Sequence, residues 1–351
     1  MIKWRAVLAA SVGMGLAAGC GIAAAAETSG CKLAKAADWP VRMERNLLIV
    51  DGAINGQPIR VMLDTGASRT LIMRAAATRL ELAREPSRNY RMFGVGGETK
   101  VEIAFVDEFK VGEIVRTKLR MLVAGDRDFG ADVLLGEDFL QRVDIEFDLA
   151  QKAVRLFQPQ NCDGVSLAYW ANTGFGEVEM EAVNAARPQV LLTVLINGQP
   201  IKALLDSGAS RSVLEKSEAA RLGVTPETPG VVASSRNSGL GSKTPPSWIG
   251  PFQSFTIGNE TIRNTEIRFA DIFKDVTYSV IGSHLPVKAE GLVSMLLGVD
   301  FLRSHRVLVA HSQRRIYFTY NGGSVFQVNP PPAQRNDPRP TDDAKPGTVE
   351  K

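Results

Sequence analysis

The sequence reads Leu63-Asp64-Thr65-Gly66-Ala67-Ser68-Arg69 in its first half and Leu205-Asp206-Ser207-Gly208-Ala209-Ser210-Arg211 in its second. The same lead-in, Ile-Asn-Gly-Gln-Pro-Ile, precedes both copies at residues 54–59 and 196–201. One Asp-Thr/Ser-Gly-Ala-Ser string arises by chance in a chain of 351 residues about once in a thousand. Two copies in matching contexts indicate a duplicated domain.

Other signals repeat in the same order around these motifs. The glycine-rich stretch Gly94-Val95-Gly96-Gly97 corresponds to Gly239-Leu240-Gly241-Ser242, and residues 134–140 correspond to residues 296–302. Short runs of β-forming residues predict strands in both copies. These strands cover residues 47–50, 59–63, 101–106, 119–123, 154–157, 190–196, 201–205, 252–257, 307–310 and 315–319. Helix is confined to short pieces, such as residues 74–82 and 215–222, so the fold is mostly β with two similar lobes.

Domain boundaries follow from the repeats and from the composition. Lobe 1 is predicted at residues 40–160, a connection at 161–187 and lobe 2 at 188–322. Residues 323–351 are polar and rich in proline, which predicts a disordered tail because they bury too little apolar surface to fold.

The N-terminus has the pattern of an export signal. Lys3 and Arg5 precede an apolar stretch at residues 6–18, and an A-x-A cleavage site ends the predicted signal peptide at residue 26. The apolar stretch is shorter than the roughly 20 residues that span a bilayer. Residues 16–20 are similar to a bacterial lipoprotein signal, in which residues 1–19 are removed and Cys20 is acylated. We expect a periplasmic or envelope protein, either soluble or held at the membrane by a lipid.

Export leaves Cys31 and Cys162 as the thiols of the mature chain, in a compartment that permits disulfides. They flank lobe 1, so a disulfide between them is the simpler interpretation, and two unpaired thiols are the alternative.

The two Asp-Thr/Ser-Gly turns carry the predicted chemistry. Each strand delivers its aspartate into a turn, where Gly66 or Gly208 lets the backbone approach the other copy closely. Thr65 and Ser207 can hydrogen-bond across the junction and hold both turns. Two carboxylates in contact share one proton, so one can deprotonate a water while the other polarises a carbonyl. This chemistry requires no cofactor and no metal.

These motifs resemble the clan of pepsins and retropepsins, and more closely its retropepsin-like side, over residues 45–158 and 190–320. The resemblance implies a bilobal, pseudo-twofold acid-protease fold in which Asp64 and Asp206 are catalytic and polypeptide is the substrate. It implies that the glycine-rich stretches are flaps over the substrate, and that residues 134–136 and 296–298 brace the turns. Viral retropepsins assemble two identical chains, whereas this chain resembles pepsins in holding both halves, which predicts a monomer.

One departure from pepsins predicts a milder pH optimum. Ala67 and Ala209 stand where pepsins carry a hydroxyl residue, and a methyl group cannot donate a hydrogen bond to the ionised pair. Asp138 and Asp300 also recur, and a helix N-terminus explains an acid at that place. Arg69 and Arg211 recur without an assigned role.

Other classes of function find little support. The net charge of +3 is small and dispersed, which disfavours nucleic acid as a partner. Only three histidines occur, none at metalloprotease spacing, which disfavours zinc hydrolysis and a Ser-His-Asp site. Two alternatives stay open: an inactive peptide-binding or assembly module with the same fold, and an enzyme whose sites form between two chains of a homodimer.

Overall fold

The computed structural model describes residues 30–95, 97–125, 130–171, 174–182, 189–235, 239, 244–272, 277–279, 286–288 and 293–326. The predicted signal peptide with Cys20, and the predicted flap residues Gly96, Leu240 and Gly241, lie outside the described residues.

The first half of the described chain is built from short strands. They are β1 (Lys32–Pro40), β2 (Arg42–Glu44), β3 (Leu47–Ile54), β4 (Gln57–Leu63), β5 (Leu71–Met73), β6 (Arg84–Gly94), β7 (Gly97–Val111), β8 (Ile114–Ala124), β9 (Val133–Leu135), β10 (Asp144–Asp148) and β11 (Ala153–Gln160). Short helices α1 (Arg74–Arg79) and α2 (Glu137–Leu140) follow β5 and β9, and a 3-10 turn covers Leu149–Gln151.

The second half repeats this order. Its strands are β12 (Gly176–Glu179), β13 (Leu191–Ile196), β14 (Gln199–Leu205), β15 (Val213–Glu215), β16 (Val232–Ser234), β17 (Ser247–Ile257), β18 (Glu260–Ala270), β19 (Thr277–Ser279), β20 (Pro286–Lys288), β21 (Met295–Leu297), β22 (His305–Ala310) and β23 (Arg315–Tyr320). Helices α3 (Lys216–Arg221) and α4 (Val299–Ser304) follow β15 and β21. Each strand and helix predicted from the sequence lies at one of these elements, and the mostly β, two-lobed fold is confirmed.

Each lobe is a sheet that curls back on itself. In lobe 1 the order is β2-β3-β4-β9-β5-β8-β7-β6, and an additional pairing of β3 with β7 closes a six-stranded barrel. In lobe 2 the order is β13-β14-β21-β15-β18-β17-β16, and β13 meets β17 over two residue pairs to form a near-barrel. The pairing of β4 with β9 and of β14 with β21 is parallel, so the ends of those strands lie side by side.

The repeated Asn-Gly sequence helps to close each barrel. Asn55 and Asn197 have φ of 50° and 51°, in the left-handed region that a tight hairpin of this kind requires. The Asn55 side chain accepts hydrogen bonds of 3.0 Å from the amides of Asp107 and Glu108, which lie on β7. Asn197 accepts the equivalent bonds from β17. Each hairpin is therefore tied to the strand that closes its barrel.

A third sheet belongs to both lobes. Its order is β1-β11-β10-β22-β23-β12, and the lobes meet where β10 pairs with β22 in the antiparallel register Ile145↔Val309 and Phe147↔Val307. A Cys31–Cys162 disulfide, across a sequence separation of 131 residues, links the start of β1 to the residues after β11. The predicted pairing of these cysteines is thus present.

Two predicted segments differ from the structure. The predicted connection at residues 161–187 contains β12, which joins the third sheet through β23; a strand of only four residues left too weak a signal in the sequence. The predicted tail begins at residue 323, yet Val325 and Phe326 are buried, and the Phe326 ring lies 5.0 Å from that of Phe255. Those two apolar residues extend the packed lobe to the start of the polar run.

Candidate active site

The two Asp-containing turns follow strands that are paired in parallel with β9 and β21. The amide of Asp64 donates to the carbonyl of Leu135 at 3.0 Å, and the amide of Asp206 donates to the carbonyl of Leu297 at 2.9 Å. The residues that were predicted to brace the turns, at the ends of β9 and β21, therefore contact the first residue of each turn directly.

The structure brings the two aspartates together at the lobe junction. A Cβ atom added to Gly66 would lie 2.4 Å from Cγ of Asp206, and one added to Gly208 would lie 2.4 Å from Cγ of Asp64. Each carboxyl group thus rests against the glycine of the other lobe. This reciprocal packing leaves room for no side chain at either position, which is the physical reason for glycine in both motifs.

Backbone amides orient each carboxylate in the same way. Oδ1 of Asp64 accepts from the amides of Gly66 at 3.1 Å and Ala67 at 2.9 Å. Oδ1 of Asp206 accepts from Gly208 at 2.9 Å and Ala209 at 3.0 Å. Oδ1 of each aspartate is therefore hydrogen-bonded to the backbone amides of its own turn.

Thr65 and Ser207 lock the turns to each other. The Thr65 hydroxyl donates to the carbonyl of Leu205 at 2.6 Å and accepts from the amide of Ser207 at 3.0 Å. The Ser207 hydroxyl donates to the carbonyl of Leu63 at 2.9 Å and accepts from the amide of Thr65 at 3.0 Å. Both side chains are fully buried, so four cross-lobe hydrogen bonds fix the distance between the two aspartates.

The surroundings of the pair favour a shared proton. Burial raises the pKa of Asp64 well above its ordinary value, and the negative charge of Asp206 raises it further. Burial raises the pKa of Asp206 to about 6, against the opposing effect of hydrogen bonds from Gly208, Ala209 and Asp64. Asp64 remains 9% exposed and Asp206 is half-buried, as expected of groups at the floor of a cleft. The pair titrates as one unit that holds a single proton near neutral pH.

Asp138 and Asp300 have a wider role than the sequence predicted. Oδ1 of Asp138 accepts from both the amide and the hydroxyl of Thr70 at 2.7 Å, and that hydroxyl accepts from the amide of Gly136. Asp300 and Ser212 repeat the arrangement. The acids therefore tie the chain after each catalytic turn to the helix beside it. Thr70 and Ser212 were missed, although a hydroxyl residue in both copies was a usable signal.

The glycine-rich segments of the two lobes meet. A Cβ atom on Gly239 would lie 2.4 Å from the carbonyl oxygen of Val95, so the two backbones are in contact. Val95 also packs against an apolar group on lobe 2, here called the cleft cluster: Leu204, Val213, Ala270, Ile272 and Leu296. Ala209 of the catalytic turn packs against the same cluster. The lobe 1 segment Gly94–Val95 and Gly97 thus reaches across to the surface beside Asp206, a position suited to a flap.

Glu137 is a buried acid that the sequence analysis did not identify. Its side chain is fully buried, and neither carboxyl oxygen has a hydrogen-bond partner among the described residues. Burial raises its pKa well above the usual value, with a further contribution from the charge of Asp64. His311 Nε2 lies 3.6 Å away, too far for a hydrogen bond, and burial lowers the pKa of His311 to about 4. His311 is therefore neutral near pH 7, and burial disfavours the ionised form of Glu137. The equivalent residue of lobe 2 is Val299, so this difference between the repeats was the available signal.

The described ranges contain neither a candidate metal site nor a membrane-spanning helix. No three His, Cys, Asp or Glu side chains are grouped there in a way that could hold a metal ion. None of the helices described has the length and apolar character needed to cross a membrane.

Comparison with protein families agrees with this geometry. Residues 50–142 match the family model described as gag-polyprotein putative aspartyl protease, and residues 192–301 match the model described as aspartyl protease. Each match contains one of the two aspartate turns and the strand that braces it. No match was found among curated proteins. The chain therefore carries two retropepsin-like aspartyl protease domains in a single polypeptide.

Proposed function

We propose that the protein is an aspartic endopeptidase whose single active site is formed by Asp64 and Asp206. The observation that carries the proposal is the reciprocal packing of each carboxyl group against the glycine of the opposite turn. This packing places two acids of one chain in direct contact, with the cross-lobe hydrogen bonds of Thr65 and Ser207 holding them there. Family membership of both halves supports the same class of reaction.

The proposed reaction uses the one proton of the pair. The ionised carboxylate takes a proton from a water held between the two groups, and the water oxygen attacks the carbonyl carbon of the peptide bond. The protonated carboxyl donates its proton to the carbonyl oxygen, which forms a tetrahedral diol. The pair then transfers its proton to the amide nitrogen and the C–N bond breaks. A hydroxyl of the diol returns a proton to the pair as the product carboxylic acid forms, so the pair again holds one proton.

Two features of the structure disfavour the alternatives of an inactive binding module and of active sites formed between two chains. An inactive binding module would have no need for a pair of contacting acids with raised pKa values, since that arrangement destabilises the folded protein at neutral pH. Sites formed between two chains would have to replace the four hydrogen bonds that already join the turns of one chain.

The proposal is tested by removing either acid. Asp64→Asn and Asp206→Asn should each abolish cleavage of a peptide library and its inhibition by pepstatin, because neither variant can hold both a base and an acid. Asp107→Asn, an exposed acid on β7, is the matched control and should retain activity. Circular dichroism should show all three variants folded. Undiminished cleavage by either dyad variant would overturn the proposal.

We further propose that the mature protein is exported to the periplasm or envelope. The Cys31–Cys162 disulfide supports this location because such bonds persist in oxidising compartments. The intact mass of protein purified from envelope fractions distinguishes the forms: a chain starting near Glu27 indicates a soluble protein, and an acylated Cys20 indicates a lipoprotein. A full-length chain in the cytoplasm with reduced cysteines would contradict export.

A further inference from the structure

Two arginines of lobe 2 lie close together, and among the residues that the structure describes neither has a carboxylate bound to it. Arg268 on β18 is 3% exposed, and its Nε and Nη2 atoms have no hydrogen-bond partner. Its Nη1 donates to the hydroxyls of Ser234 at 2.5 Å and Ser247 at 2.9 Å, which are neutral acceptors. Arg211 is half-buried, its Nε is also without a partner, and its Nη1 lies 3.5 Å from the Ser235 hydroxyl.

The two cations repel each other. Burial and the nearby charge of Arg211 lower the pKa of Arg268 to about 10, so both guanidinium groups still carry their charge at neutral pH. Asp300 is the acid that offsets part of this repulsion, but its carboxylate is bound by the amide and hydroxyl of Ser212. Buried guanidinium groups are ordinarily paired with an acid. Two guanidinium groups without a bound acid can therefore bind an added anion.

The two arginines lie beside the turn that contains Asp206. Arg211 is the last residue of the motif that begins at Leu205, and Cβ of a residue at Gly298 would touch its backbone. Arg268 and Ala270 are two residues apart on β18, so their side chains leave the same face of the strand. Ala270 is part of the cleft cluster, against which Val95 and Ala209 pack. The arginines therefore lie on the side of lobe 2 that faces the cleft.

Lobe 1 has an arginine, Arg69, at the place that matches Arg211, but no charged residue at the place that matches Arg268. Ile103 pairs with Leu122 in lobe 1, where Ile249 pairs with Arg268 in lobe 2, so Leu122 and Arg268 occupy equivalent positions. Leu122 is packed against the hydrophobic core. The lobe 2 flap sequence, residues 236–243, contains no Asp or Glu that could neutralise the arginines. Lobe 1 therefore has one arginine, Arg69, where lobe 2 has the pair Arg211 and Arg268, and the second positive charge is confined to one half of a pseudo-twofold site.

We infer that Arg211 and Arg268 form a subsite that binds the carboxylate of an Asp or Glu side chain in the substrate, on one side of the cleaved bond. Arg211 is reachable and makes the direct contact, while Arg268 lies behind it and adds positive charge. Because only lobe 2 carries the pair, the acidic preference applies to a single position of the peptide. The inference rests on the proposed peptidase function and specifies its substrate.

The test begins with a peptide library, which identifies the position of any acidic preference. Peptides that differ only by Glu or Gln at that position are then compared, each with a free and with an amidated C-terminus. Wild-type protein should cleave the Glu peptide with kcat/KM at least about tenfold above that of the Gln peptide, the lower end of what charge-assisted hydrogen bonds confer. This ratio should be the same for both forms of the C-terminus.

Substitutions assign the preference to the arginines. Arg211→Leu and Arg268→Leu, the latter matching Leu122 of lobe 1, should each lower the Glu/Gln ratio about tenfold. Arg268→Lys keeps the charge and should retain most of the preference. Arg263→Leu, an exposed arginine on the same strand, is the control and should keep the wild-type ratio. Thermal melting identifies any variant that fails to fold. If the buried Arg268 cannot be replaced without unfolding, the Glu/Gln ratio of the Arg211→Leu variant decides the test.

Three outcomes would overturn the inference while leaving the peptidase proposal intact. These are cleavage without an acidic preference at any position, an unchanged ratio in folded Arg211→Leu protein, and a preference that requires the free C-terminal carboxylate. Cleavage of no peptide by wild-type protein would instead count against the proposed function itself.

Discussion

At the scale of single residues, the site depends on two glycines without side chains and on two alanines without hydroxyl groups. Gly66 and Gly208 allow two acids to touch, and Ala67 and Ala209 offer them amides but no hydroxyl. Burial outweighs the amide hydrogen bonds, so the pKa of Asp206 is raised to about 6 and that of Asp64 is raised well above its ordinary value.

This balance predicts the pH dependence of cleavage. Below about pH 6 the pair takes up a second proton and loses its base, so kcat/KM should fall as the pH drops through that value. Near neutral pH the pair holds one proton and is active. Burial favours the uncharged forms of Glu137 and His311, and the pKa of His311, at about 4, lies below neutral pH. A pH–rate profile for a neutral peptide checks the prediction.

A double substitution extends the same measurement. Ala67→Ser with Ala209→Ser adds hydroxyl donors beside the ionised carboxylate, which should stabilise it and move the acid limb of the profile to lower pH. An optimum near pH 2 in wild-type protein, or identical profiles for wild-type and substituted protein, would contradict this account of the pair.

At the scale of elements, the strand ends and the turns that follow them form one hydrogen-bonded unit across the lobes. Thr65→Val should lower the free energy of unfolding by about 2 kcal/mol or more, since it leaves the Leu205 carbonyl and the Ser207 amide buried without partners. Thr65→Ser keeps the hydroxyl and should be nearly neutral. Urea denaturation measures both; equal stability of the valine and serine variants would show that the cross-lobe bonds contribute little.

Sequence reasoning succeeded for elements that carry strong local signals. The two aspartate turns, the strands around them and the helices after β5 and β15 follow from short runs of β-forming residues and from the repeat itself. It failed where the stabilising contacts are remote in sequence. Strand β12 is four residues long and exists because β23 offers an edge, and the burial of Val325 and Phe326 depends on Phe255.

The same distinction applies to the candidate site. Asp64, Asp206, Thr65 and Ser207 could be singled out because each is repeated in a motif. Glu137 and Arg268 belong to no repeated motif, because the sequence has Val299 and Leu122 at the matching places, and this departure from the repeat is the signal that they leave in the sequence. Where the repeats differ, burial and unpaired polar atoms provide the information.

At the scale of the whole molecule, the lobes are joined by the third sheet as well as by the turns. The Cys31–Cys162 disulfide holds β1 and β11 together at its edge. Cys31→Ser with Cys162→Ser should lower the free energy of unfolding by about 2 to 5 kcal/mol, because the open chain gains entropy when unfolded. Thermal melting measures the loss, and reduction of wild-type protein should reproduce it; a variant as stable as the oxidised protein would contradict the prediction.

The central claim is that Asp64 and Asp206 of one chain form one catalytic pair. Its most direct test is cleavage of one peptide by Asp64→Asn protein, by Asp206→Asn protein and by an equimolar mixture of the two, refolded together. A pair within each chain predicts no cleavage in any of the three samples. Activity in either single variant, or its recovery in the mixture, would show that the active site forms between chains.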